Sequence, residues 1–175
     1  MSLKDFELPE GVTDIVAADG GEIVFPVAPP ISERMHDLDF LLGEFRVEYV
    51  NLTTEKASTG LASWTTSPLY GGRFYQMRQI IPVPGIEATW LFGWSEVDQK
   101  FISYYYDEWG HHGETASPGW VDGHLKFTGE SAVFGQRYLF LEDLMIIDKD
   151  HYAKHGYIRQ GDEWVQGDVI HCYRI

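Results

Sequence analysis

Two carboxylates and an imidazole near the end of the chain form the sharpest chemical pattern in the sequence. If two-residue turns separate the last three predicted strands, their register aligns Glu142, His155 and Asp168 across the three strands. A carboxylate on either side would orient the imidazole and raise its basicity, which prepares a general base near neutral pH. Tyr157 falls on the same face, where it could stabilise an oxyanion. This arrangement predicts proton transfer. The alternative is that the three side chains form a row of charges on the solvent-exposed outer face of the sheet.

A second set of residues points to ligand binding. The predicted registers place three of the six tryptophans on one face of four consecutive strands. Rigid aromatic side chains with a polar tip can line a pocket for a flat apolar ligand, and an amide or carboxylate among them would fix its orientation. The alternative is a filled core without a ligand. The predicted pocket residues on this face are Trp64, Met77, Gln79, Trp90, Phe92, Trp94, Tyr105 and Asp107.

The next predicted turn adds ionisable groups to this pocket. A turn at 109–110 puts His112 opposite Asp107 and brings Glu114 to the same face, whereas His111 points away. A three-ligand zinc site is conceivable, but the spacing matches no fixed metal motif, and a polar barrel mouth is the preferred interpretation. The sequence also lacks phosphate loops, dinucleotide fingerprints and serine nucleophile elbows. We therefore predict no metal and no cofactor.

Short strands are the elements that must position these side chains. Residues 31–42 have the apolar spacing of one short helix, with Ser32 as N-cap and Gly43 at its end. After Gly43 the apolar periodicity becomes that of strands bounded by turn residues. The predicted strands are 44–53, 60–67, 72–82, 87–96, 100–107, 112–118, 120–129, 134–146, 150–159 and 163–174. The predicted turns are Gly71-Gly72, Pro84-Gly85, Asp98-Gln99, Asp122-Gly123, Asp148-Lys149 and Gly161-Asp162.

Ten antiparallel strands in sequence leave two exposed edges unless the sheet closes on itself. The predicted fold is therefore all-β: a single closed antiparallel up-and-down barrel of about ten strands, spanning 31–175, with a short N-terminal helix. Residues 1–30 are acidic and interrupted by proline and glycine, and they are predicted to form an extended N-terminal arm.

Composition limits the classes of partner. The chain has 175 residues, 44% of them hydrophobic, and a formal net charge of −14, which repels nucleic acids and anionic membranes. No apolar run is long enough to form a membrane helix, and the N-terminus lacks a secretory signal pattern. A single cysteine excludes an intramolecular disulfide. We expect a cytoplasmic protein without nucleic-acid or membrane partners; a homodimer is compatible with these features.

The sequence resembles the calycin (lipocalin-like) barrels. Phe40-Leu41-Leu42-Gly43-Glu44-Phe45 follows the predicted helix much like their Gly-x-Trp signature, with Phe45 in place of Trp, and Arg174 matches the arginine that packs over that aromatic. The segment 104–110, Tyr-Tyr-Tyr-Asp-Glu-Trp-Gly, looks like the mid-chain signature of bacterial calycin domains of unknown function related to nitrobindin. The resemblance implies a barrel that holds a small apolar molecule. The glycine pattern of haem-binding nitrobindin is missing at 46–49.

Two functions follow from these patterns. The first is a small-molecule binding protein that holds an apolar or aromatic ligand inside the barrel. The alternative is a cofactor-independent lyase, isomerase or decarboxylase that acts on a small aromatic substrate through the predicted acid-histidine-acid line. A purely structural role would need no pocket.

Overall fold

Eleven strands follow a short 3₁₀-helix in the residues that the computed structural model describes, 28–53 and 55–175. Most of the predicted arm, residues 1–27, lies outside the described residues. The 3₁₀-helix spans Glu33–Leu41, and a 3₁₀ turn, Tyr70–Gly72, joins the second and third strands. The strands are β1 (Gly43–Asn51), β2 (Ser58–Leu69), β3 (Phe74–Ile81), β4 (Ile86–Ser95), β5 (Lys100–Asp107), β6 (His112–Ser117), β7 (Trp120–Val121), β8 (His124–Val133), β9 (Gln136–Asp148), β10 (His151–Gln160) and β11 (Glu163–Arg174).

Ten of these strands close into an antiparallel barrel, which confirms the predicted fold class. Sequential neighbours pair from β1 to β6 and from β8 to β11, and the pairs β6–β8 and β1–β11 complete the ring. The short strand β7 pairs only with β8 among the described strands. The predicted strand 120–129 is therefore divided: a turn at Asp122-Gly123 separates β7 from β8, and β8 continues to Val133. No helix among the described residues is long and apolar enough to cross a membrane.

The inner face of β2 to β5 agrees with the prediction. Trp64 pairs with Gln79, Met77 with Trp90, and Trp90 with Tyr105. All of these side chains belong to the inner face, where alternate residues of each strand are buried. Each connection contains four residues and not the predicted two, but the alternation is kept, so the predicted side chains still share the inner face. A slip of one residue would turn the apolar side chains outward.

One end of the barrel is closed by the 3₁₀-helix. Met35, Leu38 and Leu41 are buried against the core, and Tyr75 donates a hydrogen bond from its hydroxyl to Asp39 Oδ1 at 2.6 Å. Ser32 was predicted to cap this helix through its side chain, but it makes no side-chain cap; its carbonyl accepts a hydrogen bond from the Met35 N–H. The helix therefore contributes an apolar plug to the core.

Arg174 packs over Phe45 at the same end of the barrel, which is the contact expected for this pair. Its guanidinium carbon lies 4.7 Å from the centroid of the Phe45 ring, and its two terminal nitrogens donate hydrogen bonds to the carbonyls of Phe40 and Leu42. Gly43 makes this approach feasible, because a Cβ there would lie 2.6 Å from Arg174 Nη1. A cation over an aromatic face and two charge-assisted hydrogen bonds together fasten β11 to the end of the helix.

Candidate functional site

A cavity of about 250 Å³ lies inside the barrel, at the end remote from the helix. β1 starts beside the helix and runs away from it, so Asn51, at the end of β1, marks the cavity end. The apolar part of the wall consists of Tyr49, Ile81, Trp90, Tyr105, Val133, Phe140 and Ile170. The polar part consists of Asn51, Gln79, Ser103, Thr115 and Ser131, and the charged part of Glu142, Lys154 and Asp168.

The charged part of the wall is a lysine between two carboxylates. Lys154 Nζ lies 3.0 Å from Glu142 Oε1 and 3.6 Å from Asp168 Oδ1. Lys154 is only 8% exposed. Burial alone would lower the pKa of this ammonium group, but the charges of Asp168 and Glu142 outweigh that effect and raise the pKa above its usual value. Lys154 therefore carries a fixed positive charge at neutral pH.

His155 is not part of this arrangement, so the predicted acid-histidine-acid line is wrong at its centre. His155 pairs with Asp143 and Val169 on the outer face of the sheet. The line that forms instead is Glu142, Gly156 and Asp168, with Lys154 beside it on the inner face. Tyr157 shares the outer face with His155, so it does not reach the cavity as predicted.

Two irregularities in the ladder explain the difference. Between β9 and β10 the register shifts after His151, so that Ile147 has no partner in β10. Between β10 and β11 it shifts again after Gly156, which leaves Gly167 without one. Each extra residue turns the following side chains to the opposite face. Because of the first shift, Lys154 and not His155 faces the inside of the barrel together with Glu142. Because of the second shift, Asp168 lies on that same inner face.

A second polar arrangement is centred on Asp107, which contacts Tyr105 of the cavity wall. Asp107 has a side chain only 2% exposed. It accepts hydrogen bonds from the Tyr105 hydroxyl at 2.6 Å and from the backbone N–H groups of Trp109 and His111 at 3.0 Å, and the His111 Nδ1 lies 2.8 Å away. Burial opposes the charge of Asp107, yet these donors together lower its pKa. Burial and the bond to Asp107 raise the pKa of Tyr105. The predicted role of Asp107 in orienting a ligand conflicts with four contacts that already occupy its oxygens.

His112 and Glu114 lie outside the barrel, contrary to the prediction. They pair with Tyr106 and Tyr104 respectively and are exposed. The turn between β5 and β6 is one residue longer than predicted, and Gly110 adopts a φ of +84° in it. His111 consequently turns inward to Asp107. Within the described chain, no cluster of three or more His, Cys, Asp or Glu side chains is arranged to hold a metal ion.

The predicted aromatic face is divided between the core and the cavity. Of the predicted pocket residues, Gln79, Trp90 and Tyr105 line the cavity. The side chains below them are part of the packed interior: the rings of Trp64 and Trp90 are 5.8 Å apart, and those of Trp94 and Phe101 are 4.9 Å apart. The other predicted residues in this packed part are Met77 and Phe92, both buried.

Sequence reasoning missed Lys154, His111 and Tyr49. One signal for Lys154 is the glycine two residues after it. A Cβ on Gly156 would lie 2.5 Å from Asp168 Oδ2, so this glycine provides the space in which the carboxylate of Asp168 crosses the neighbouring strand toward Lys154. A glycine within a strand often marks such a close approach.

Comparisons with known proteins add little to this geometry. No family model matches the chain, and no curated protein matches it. Among solved structures, the chain is similar to a protein of unknown function from the DUF3598 family of Nostoc punctiforme, with a TM-score of 0.45 and 14% sequence identity. The match covers 79% of this chain and 48% of that one, so the chain spans about half the length of that protein.

Proposed function

We propose that this protein binds a small molecule with an aromatic or apolar body in the cavity of the barrel. The observation that carries the proposal is a cavity of about 250 Å³ whose wall includes the rings of Tyr49, Trp90, Tyr105 and Phe140. This volume is slightly below the range of roughly 300–1,000 Å³ for ligand pockets, and it suits a ligand about the size of one substituted ring.

We also propose that the barrel is related to the calycins. The support is the position of Arg174 over Phe45 at the helix-closed end, where the resemblance expects this pair. A cytoplasmic location, a homodimeric state and the lack of nucleic-acid or membrane partners stay predictions from composition.

Binding is favoured over the enzymatic alternative because, in the described part of the chain, the cavity wall does not contain the histidine that the alternative uses as its base. His155 lies on the outer face, and Lys154, which lies near its predicted place, keeps its proton between two carboxylates. A lysine that remains protonated is neither a general base nor a Schiff-base nucleophile at neutral pH. Tyr105 donates its hydroxyl hydrogen to Asp107, so it is not a free donor for an oxyanion.

The test is to fill the cavity from its wall and measure the affinity for an uncharged aromatic probe, benzyl alcohol, by calorimetric or NMR titration. Val133 lines the cavity, and Ala132, beside it on β8, faces outward opposite His112 and Arg137. We expect Val133→Trp to weaken binding at least about tenfold, because the indole would occupy the ligand's space. The matched control Ala132→Trp should retain the wild-type affinity.

Saturable binding to the wild type that Val133→Trp leaves unchanged would place the probe outside the cavity. That result, or no binding of any small aromatic compound to the wild type, would contradict the proposed function.

A further inference from the structure

The charges on the cavity wall do not cancel. Two carboxylates, Glu142 and Asp168, face one ammonium, Lys154, so the ionised groups of the wall sum to −1. Another acid, Asp107, accepts a hydrogen bond from Tyr105 of the wall. Fields from a few like charges act strongly in a site that excludes much of the water. An anionic ligand would therefore meet net repulsion in this cavity.

The charged groups of the wall also offer more hydrogen-bond acceptors than donors. Two ionised carboxylates offer about eight acceptor positions, whereas a lysine ammonium has three donors. Lys154 donates one hydrogen bond to Glu142 Oε1, and at 3.6 Å its contact with Asp168 Oδ1 is an ion pair without a hydrogen bond. Among the described residues, Asp168 Oδ1 is buried and has no hydrogen-bond partner. The wall thus holds acceptors that a ligand with N–H donors could use.

Aromatic rings beside these carboxylates favour the same kind of ligand. The centroids of the Trp90 and Tyr105 rings are 4.5 Å apart, and both rings line the cavity. An aromatic face attracts a cation, and the attraction increases when water is excluded. The cost of removing an ammonium group from water is offset only where opposite charge and acceptors are already in place, as they are here.

We infer that the cavity selects a small amine in its cationic form, with the ammonium group received by Glu142 and Asp168 beside Lys154 and the aromatic or apolar body held by Trp90 and Tyr105. This inference rests on the proposed function and specifies the ligand class of the same cavity. It excludes carboxylates, phosphates and fatty acids as ligands.

Three probes with the same ring test the inference by titration near neutral pH: benzylamine, which is a cation, benzyl alcohol, which is uncharged, and benzoate, which is an anion. We expect the wild type to bind benzylamine at least about tenfold more tightly than benzyl alcohol and to show no measurable binding of benzoate. This comparison needs no variant, so it does not depend on the folding of a mutant.

Variants then locate the preference. Glu142→Gln should reduce the ratio of the two affinities, amine to alcohol, at least about fivefold, because it removes one of the two negative charges that receive the ammonium group. Asp168→Asn provides the same test should Glu142→Gln fail to fold. The matched control is Glu130→Gln, which removes the same charge from the exposed outer face of β8, where the side chain is 63% exposed. It should keep the wild-type ratio.

The outcomes separate the inference from the proposed function. Benzyl alcohol that binds in the cavity as well as or better than benzylamine would overturn the inference and leave the proposed function in place, as would preferred binding of benzoate. A preference for the amine that Glu130→Gln removes as fully as Glu142→Gln would overturn it too, because the preference would then arise from net charge. Failure of all three probes to bind would contradict the proposed function itself.

Discussion

Lys154 decides what the charged part of the wall can do. An imidazole between two carboxylates would gain and lose a proton near neutral pH, whereas the lysine in this place holds its proton because Glu142 and Asp168 raise its pKa. The positive charge of Lys154 is therefore constant across the physiological range. Constant charge suits recognition better than proton transfer, which is why we place the function in binding.

Asp107 gives the protein a predictable response to acid. Its pKa is lowered in the folded state, so its contribution to the free energy of unfolding is present above the unfolded pKa and is lost as the pH falls through the folded value. We expect Asp107→Asn to lower the free energy of unfolding by about 2 kcal/mol near pH 7, because an amide has a single acceptor oxygen and cannot accept both from the Tyr105 hydroxyl on one side and from the backbone N–H groups of Trp109 and His111 on the other. The difference from wild type should shrink below about pH 4.

Urea unfolding near neutral pH and at about pH 3 measures this effect. Asp122→Asn, in an exposed turn, is the control and should change the free energy of unfolding by less than about 0.5 kcal/mol at either pH. A deficit of Asp107→Asn that persists undiminished in acid would show that the carboxylate charge does not carry the stabilisation.

At the scale of strands, three extra residues determine the site. The longer turn between β5 and β6 brings His111 to Asp107, and the irregularities on either side of β10 bring Lys154 between its carboxylates. Elsewhere the alternation of each strand continues unbroken through the pairs of β2 to β5. The polar contacts of the candidate site therefore lie where the strand pairing is irregular. Bulges are frequent next to active sites.

Gly156 provides a test of this arrangement. A methyl group at this position would lie 2.5 Å from Asp168 Oδ2, so Gly156→Ala should displace the Asp168 carboxylate and lower the free energy of unfolding by about 1–3 kcal/mol. Gly161→Asn is the control: nothing lies within 4 Å of a Cβ there, and asparagine tolerates a φ of +58°. Urea unfolding of both variants checks the expectation. Equal stability of Gly156→Ala and wild type would show that Asp168 is not held across this strand.

At the scale of the whole barrel, the helix-closed packed core and the cavity lie at opposite ends. The 3₁₀-helix, Arg174 and a layer of aromatic rings fill one end, and the cavity occupies the other. Trp120 of β7 adds to the closed end, where its indole N–H donates to the Asp37 carbonyl at 3.1 Å and its ring packs on Phe40. A change at the closed end should therefore affect folding without altering the cavity.

Arg174→Met tests this division. The variant loses the cation over Phe45 and leaves the carbonyls of Phe40 and Leu42 without these donors, so the free energy of unfolding should fall by about 2–4 kcal/mol. The affinity of the folded variant for benzyl alcohol should stay at the wild-type value, measured by titration at a temperature where it is folded. Arg137→Met, which replaces an exposed side chain, is the control for the free energy of unfolding. A parallel loss of affinity in Arg174→Met would contradict the separation of the two ends.

The amino-acid sequence by itself determined the strand pattern, the closed barrel and the inner face of β2 to β5. Its alternating apolar residues and turn residues act locally, and β2 to β5 contain no extra residue that would reverse a face. The acidic members of the charged wall, Glu142 and Asp168, were also identified from the sequence, although His155 was expected between them.

Only the tertiary structure decided that Lys154 lies beside those carboxylates and that Trp64 and Phe92 fill the core while Trp90 lines a cavity. The reason is physical. A one-residue bulge reverses the alternation of a strand, but where it falls depends on how distant strands pack once the barrel closes. Whether a ring fills the core or borders a cavity likewise depends on the side chains opposite it, which come from distant parts of the chain.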